Sequence, residues 1–472
     1  MPEPSGQPSS SLQDLIREGS FGPFYWNDFE FLRRVFVTVR DRNWREVSPS
    51  RWQCTVDEAR NSIHVSARHT SEDIDFAWSG RLDVSADGCE LAFEFEGKAL
   101  RALQINRLGL VILHPVKMLT GSTLTASEGS QEETTVVDRQ IAPQPIVDGL
   151  PAAMASAFSS LRIKHAHWGE FEIELQGDQF EMEDQRNWGD DSFKTYCTPL
   201  RLGFPRTVNE GELIAHRLRA RFRPSFERNI GAVPTAVPED NPYRSRPLRV
   251  GRIAATADEG RADPHWMLGW DHIRVELDNI GADALRELLS KLPRSTTLHL
   301  VVGVGDGTAL SAARLDLLGV LATRTSAILV KHAARPLPTP EAVAQFRGAL
   351  KGTGAQGIPL LVVPNGHFVE FNRGMPFDLG VDGIAFPLSP TVHGQDAETI
   401  LENAQVVRTM VDTGRGLTAK PYVSISPLSL APSSAGRQPA VSRSVVTAWR
   451  ALVLAQCQAV GVDAVTLSSD LL

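Results

Sequence analysis

The hydrophobic rhythm of this chain changes once, and that change limits its fold more than any other feature. From about Arg33 to Arg223, apolar and polar residues alternate in short runs: Val35–Asp41, Ser62–His69, Ile74–Ser85, Leu91–Gly97, Gly109–Pro115, Phe171–Gln176 and His216–Phe222. A period of two, broken at Gly and Asp-Gly signals, is the pattern of antiparallel strands with one face on a core. Seven such runs with few helical stretches predict a large β-sandwich. Residues 224–247 hold five prolines and little period, which predicts a linker. Beyond it, apolar runs recur at Arg249–Ala255, His272–Asp278, Thr297–Val304, Ala327–Ala333, Pro359–Asn365, Gly383–Pro390, Lys420–Pro427 and Asp463–Asp470. The segments between them, such as 282–292, 315–324, 341–352, 397–411 and 444–461, carry the 3.6-residue apolar period of helices. Eight strands alternating with helices predict a (β/α)8 TIM-type barrel. The expected organisation is a disordered tail over 1–12, a β-sandwich over 13–223, a linker over 224–247 and a barrel over 248–472.

The remaining composition excludes several classes of partner. The 472 residues carry a net charge of −8, with bases dispersed among a larger number of acids, which argues against nucleic acid and anionic membrane. The four cysteines, Cys54, Cys89, Cys197 and Cys457, are far apart and form no CxxC pair, so neither a disulfide framework nor a cysteine zinc site is expected. The N-terminus has no basic and apolar regions of a signal peptide, and no run approaches a membrane span. The reading is cytoplasmic. No P-loop and no GxGxxG opening a helix is present, so no cofactor is expected.

Two sets of residues are candidates for chemistry. The stretch Phe180–Tyr196 and its upstream neighbour Asp178 collect Glu181, Glu183, Asp184, Asp190 and Asp191 around Arg186, Asn187, Trp188 and Lys194. Carboxylates and amides beside an aromatic face suit a carbohydrate-like ligand; the competing account is a solvated acidic loop with internal ion pairs. The second set lies at the C-terminal ends of the barrel strands, where such barrels place their active sites. It comprises Glu276 and Asp278, Lys331 and His332, Asn365, His367 and Glu370, Asn372 and Arg373, Ser389 and His393, Ser424 and Ser426, and Ser469 and Asp470.

The chain resembles the D-apionate lactonase family, bacterial enzymes of apiose catabolism that hydrolyse apionolactone to apionate. The resemblance rests on Phe93–Pro115 and Glu181–Leu200 in the N-terminal half, and on Pro364–Pro376, Pro387–Asp396 and Ser424–Leu430 in the C-terminal half. It implies a small sugar lactone as the partner, and it marks Glu183, Asp184, Arg186, Asn187 and Trp188 as matching the core of the acidic block. Relatives of this family continue into a further β region, so the chain is read as a shortened member. The family pattern also ends strand eight with a glutamate, where this chain has Thr466-Leu467-Ser468-Ser469-Asp470.

Lactone hydrolysis needs a water or nucleophile, a base and donors for the oxyanion. Glu370 is the preferred base, on the argument that a partly apolar pocket raises a carboxylate's pKa; an ion pair with Arg373 is the alternative. His367 and His393 are candidate bases or donors, and Lys331 a candidate for stabilising an oxyanion, unless it merely snorkels. Glu183, Asp184, Arg186, Asn187, Trp188, Asn365 and Glu276 are assigned to substrate binding. Arg107 belongs to the same surface or braces a turn. No GxSxG elbow surrounds the serines, which disfavours a serine esterase. His367, His393 and Glu370 would make a two-histidine, one-carboxylate metal set, but without HExxH spacing no metal is assigned. Two other readings stay open: a glycoside hydrolase with paired carboxylates, and a non-catalytic carbohydrate-binding paralogue. Oligomeric state is not legible.

Overall fold

The alternating runs of the N-terminal half fold because each strand has one apolar face to bury. In the computed structural model, which describes residues 11–225, 246–254, 267–307, 310–374, 379–418, 420, 422–432 and 440–472, they build two antiparallel sheets. One sheet has nine strands, running through Ser62–Thr70, Asp75–Val84, Glu90–Ala99, Leu213–Pro224 and Gly169–Gln176. The other has eight, with Arg34–Asp41, Leu103–Pro115, Ser192–Tyr196 and Phe180–Asp184 side by side. Their inward faces share one core, to which Val35, Val37, Ile112 and Phe180 contribute from the smaller sheet and Phe76, Phe93, Phe171 and Phe222 from the larger. This is the expected β-sandwich. Most of the predicted tail and linker, residues 1–10 and 226–245, lie outside the described residues; Leu12 already sits in the core.

Eight parallel strands close the second architecture, Arg249–Ile253, His272–Glu276, Thr297–Val304, Thr325–His332, Leu360–Val362, Gly383–Leu388, Tyr422–Leu428 and Ala464–Leu467. These are the eight runs read from the sequence. Two details of the helices differ. The residues after strand five, expected as an extended strand end, form a short helix, Val369–Gly374. The helix expected over 397–411 breaks into Ala397–Glu402, a 3-10 turn Asn403–Gln405 and Val406–Thr418. The chain divides into two compact units, and the second comprises Pro143–Pro145, Arg186–Asp191 and Pro234–Leu472. A six-residue piece of the acidic block therefore belongs to the unit of the barrel.

The barrel interior is divided by polarity. Val301, Ala327, Leu329, Leu361, Val363 and Ala385 form an apolar cluster, the filling such barrels normally have. Elsewhere in the barrel strands His272, Arg274, His299, Ser424, Ser426 and Thr466 are all buried. The imidazoles of His272 and His299 stack with centroids 3.8 Å apart. Gly251 makes room for this pair, since a Cβ there would collide with the His272 ring and carbonyl. Among the described residues, no helix is long and apolar enough to cross a membrane.

Two stability predictions follow from these cores. Phe31 is fully buried and stacks on Phe222 at 5.0 Å, so Phe31→Ala should cost about 3–5 kcal/mol in a urea titration. Burial, then the charge of Arg249, hold His272 at about 3, and burial with the His272 charge holds His299 well below 6.5. Both folded values lie under the unfolded one, so the unfolded chain binds more protons below about pH 6.5, and stability is lost as pH falls towards about 3. Thermal unfolding against pH should show this loss. His299→Leu should flatten the slope, and an unchanged slope would remove the buried pair as its cause.

Candidate functional site

Gly189 brings the acidic block to the barrel strands. Its φ of +94° suits glycine, and a Cβ on it would lie 3.0 Å from Leu388 Cδ1 at the end of strand six. The 3-10 turn Gln185–Trp188 before it carries Asn187 and Trp188, and Asp190 follows. Asp190 is buried. Its Oδ2 lies 2.6 Å from His393 Nδ1, and its Oδ1 accepts from Asn403 Nδ2 at 3.0 Å. Asn403 also donates to the Pro390 carbonyl at 3.0 Å and accepts the Asp191 amide at 3.0 Å. The predicted helix breaks at this residue because the segment is clamped here.

Trp188 sits among three predicted site residues. Its ring centroid is 5.1 Å from His367 and 6.0 Å from His393, and the Arg373 guanidinium lies 5.4 Å over it. Asn187 accepts from Asn372 Nδ2 at 2.8 Å. Burial, followed by the charge of His393, pushes the His367 imidazole down to about 4, so near neutral pH it is an uncharged hydrogen-bonding group. His393 with Nδ1 towards a buried carboxylate has the tautomer that leaves Nε2 as the basic nitrogen.

Glu370, the preferred base with an Arg373 ion pair as the alternative, is ion-paired. Its Oε1 accepts from Arg373 Nη1 at 2.9 Å, with side-chain exposures of 15% and 19%. The ion-pair alternative is what the fold builds, because the short helix puts the two residues one turn apart. Arg373 also donates to Gln144 at 3.1 Å, while its buried Nε has no partner among the described residues.

Glu276 and Lys331, expected in separate roles, meet. Lys331 Nζ donates to Glu276 Oε2 at 2.6 Å, and Arg274 Nη2 donates to Oε1 at 2.6 Å. Burial works to raise the Glu276 carboxyl, but Arg274 and Lys331 together outweigh it and hold it below the usual carboxylate range. Arg274 also reaches Ser426 Oγ at 3.2 Å; Ser426 donates to Thr466 Oγ1 at 3.0 Å, and His272 Nε2 lies 2.9 Å from that hydroxyl. A hydrogen-bonded chain thus runs from His272 to the Glu276 carboxylate.

Several predicted residues are occupied in bracing. Asn365 donates to the carbonyls of His332 and Arg335, and His332 Nδ1 accepts the Ala334 and Arg335 amides. Asp470 accepts the amides of Leu430 and Ala431, so it fastens the loop after strand seven. Ser424 is wholly buried in the barrel. Glu183 and Asp184 are strand residues of the sandwich, and Asp184 Oδ2 accepts the Ala142 amide at 2.9 Å. Arg186 is buried in the turn that ends at Trp188. A groove of about 530 Å³ beside strand three, lined by Gly303, Arg314 and Phe346, contains none of the predicted catalytic side chains.

Sequence reading places Asp190 in the acidic block without a partner, and it misses Asn403 and Arg274. Arg274 had a visible signal, since His272, Arg274 and Glu276 alternate with Ile273 and Val275 in a strand that a buried parallel sheet would make apolar. Asn403 had none. Among the described residues, the His/Cys/acid groups that converge within 4.8 Å are Asp178, Cys197 and His216, not His367, His393 and Glu370. His216 Nδ1 already accepts the Leu110 amide at 3.2 Å, and burial pushes the Cys197 thiol up. A metal on that nitrogen would orphan a buried amide, and the thiol is not poised to ionise, so the trio does not read as an open metal site.

Residues 4–225 match the sequence model of the D-apionate lactonase N-terminal domain, and residues 363–444 match that of the D-apionate lactonase TIM barrel domain. A curated D-apionate lactonase from Brucella anthropi is 27% identical over 256 residues, covering 52% of this chain; the chain spans 40% of that relative's length. Similarity to solved structures is low. An Escherichia coli K12 putative aldose 1-epimerase aligns at a TM-score of 0.28 and 14% identity, over 44% of this chain and 94% of that one. An alpha-galactosidase from Geobacillus stearothermophilus aligns at 0.28 and 10% identity, over 92% and 72%. With its N-terminal region and its barrel both matched by that family's models, the chain belongs to the D-apionate lactonase family.

Proposed function

We propose that this chain hydrolyses a sugar-acid lactone with water at the C-terminal ends of its barrel strands. The observation that carries the reading is the His393–Asp190 contact of 2.6 Å beside the Trp188 ring. His393 Nε2 takes a proton from water as its oxygen adds to the lactone carbonyl, and the Asp190 carboxylate stabilises the imidazolium that forms. The tetrahedral intermediate collapses with cleavage of the ring C–O bond, and His393 returns the proton to the departing ring oxygen. Arg373, whose Nε–H has no partner among the described residues, supplies a donor for the developing oxyanion. Trp188 offers an apolar face to the sugar carbons, and Glu276, ionised between Arg274 and Lys331, accepts hydrogen bonds from hydroxyls. Glu370 then serves to orient Arg373.

D-apionolactone is the first substrate to try, because it is what the name of the Brucella anthropi relative points to. The glycosidase reading needs two carboxylates about 5 Å apart, and it is less well supported. Glu370 is paired with Arg373, Glu276 with two cations, and Asp470 with backbone amides.

A pH-indicator assay on a panel of aldonolactones, with D-apionolactone among them, tests the proposal. His393→Ala and Asp190→Asn should each lower kcat by about 10²–10⁴-fold. Glu370→Gln should lose far less, since it removes only the partner of Arg373. Acid release that survives His393→Ala but is abolished by Glu370→Gln would return the base to Glu370. Turnover of nitrophenyl glycosides with no lactone hydrolysis would replace the reading altogether.

A further inference from the structure

The outer face of the eight-stranded sheet is more charged than a buried sheet face should be. Its inward residues Val35, Val37 and Val39 join the core, so Arg34, Thr38 and Arg40 of the same strand point the other way. Across the sheet the register sets Arg40 opposite Arg107, Val111 opposite Tyr196, and Lys194 opposite Glu183. Like charges directly opposite are unfavourable unless each is compensated. Two of the cations are compensated. Arg107 donates to Glu181 at 3.0 Å, and Arg40 pairs with Glu46 at 3.4 Å.

Lys194 is the exception. It is 9% exposed and makes no hydrogen bond or ion pair among the described residues, its amine standing 5.4 Å from the centre of the Tyr196 ring. Burial, with the charge of Arg40 adding to it, lowers its pKa to about 8, against the opposing pull of Glu183 and Glu46. A lysine with so little exposed surface and no partner for its ammonium among the described residues costs free energy, and an apolar side chain of the same length would fill the space better. Folding alone does not explain a lysine here.

The residues around it form a strip. From Lys194 the Tyr196 ring leads to the Arg107 guanidinium at 4.1 Å, then to the Trp44 ring at 5.6 Å, and Phe204 meets Trp44 edge-on at 5.3 Å. Trp44 is 41% exposed, with a φ of +65° that a bulky residue rarely takes. The turn is held in that shape by Asp41, whose Oδ1 accepts the Asn43 and Arg45 amides at 2.8 and 2.9 Å. A strained aromatic held out to solvent at one end of a strip that has an unpaired cation at the other points to a ligand.

We propose that this sheet face is a second binding site, for a small polyhydroxy carboxylate, separate from the barrel strand ends. The carboxylate pairs with Lys194 over Tyr196. The polyol chain extends past Arg107 and Glu181, whose donor and carboxylate oxygens suit hydroxyls, and its carbons lie against Trp44. The inference follows from the sandwich alone, and it holds whether or not the barrel hydrolyses a lactone.

Isothermal titration calorimetry with D-gluconate, and with neutral D-glucitol as the charge control, tests it on the full chain. The wild type should bind gluconate and not glucitol. Lys194→Met should weaken gluconate binding tenfold or more without lowering Tm, because it removes an unpaired buried charge; Trp44→Ala should weaken it less. His393→Ala should bind as the wild type does. No gluconate binding by the wild type, or equal binding by Lys194→Met, would sink the proposal. A lower Tm in Lys194→Met would give that lysine a structural role instead, and loss of binding in His393→Ala would place the ligand at the barrel.

Discussion

The Asp190 carboxylate is the point on which the candidate site depends. One oxygen faces His393 and the other takes the Asn403 amide, so both are used and neither is exposed. A buried carboxylate with only one partner would be costly, because its second oxygen would be desolvated for nothing in return. The two contacts fix different things. Asn403 fixes the segment, through Pro390 and the Asp191 amide. His393 has its tautomer fixed, which turns a side chain with two similar nitrogens into a base with a direction. Trp188, two residues before Asp190, is carried into place between His367, His393 and Arg373 by the same clamp.

The barrel interior follows a different constraint. A closed eight-stranded barrel must fill its inside with side chains, and apolar ones do so at least cost. Here Val301, Ala327, Leu329, Leu361, Val363 and Ala385 form an apolar cluster, while Arg274, Ser426, Thr466 and His272 form a hydrogen-bonded series that ends at Glu276. The Arg274 charge is tolerable at this depth because it is paired with the Glu276 carboxylate, though its Nε is buried with no partner among the described residues. The series is not fully satisfied. His272 Nδ1, both ring nitrogens of the His299 stacked on it and the Ser424 hydroxyl are buried with no partner among the described residues. Glu276 is thereby kept ionised by cations behind and beside it, suited to accepting hydrogen bonds and not to taking up a proton.

Much of the architecture was legible, and the misses have specific causes. The eight barrel runs were readable because buried parallel strands are apolar throughout and separated by helices of a different period. The short helix after strand five was not, since six residues carry less than two turns of period and the run HFVEFNR suits either form. Glu370 was chosen as a base for its position at a strand end, but the helix places Arg373 beside it. Asn365 and Asp470 occupied the same kind of position, and both turned out to fasten loops, because exposed backbone amides and carbonyls near a strand end compete for any polar side chain. Trp188 and His393 are candidates by residue type alone, and nothing in the sequence joins them; the fold sets their rings 6.0 Å apart.

What the sequence determined by itself is the pair of architectures and the family, because periodicity and motif wording are local properties of a chain. Each strand records in its own residues which face will be buried, whatever it packs against. Only the tertiary structure decided which polar side chains act together. His393 and Asp190 lie 203 positions apart, Asn372 and Asn187 lie 185 apart, and Lys331 and Glu276 lie 55 apart. The partner of a buried charge is set by where folding brings the chain, and desolvation makes that partner, or its absence at Lys194, the property that matters.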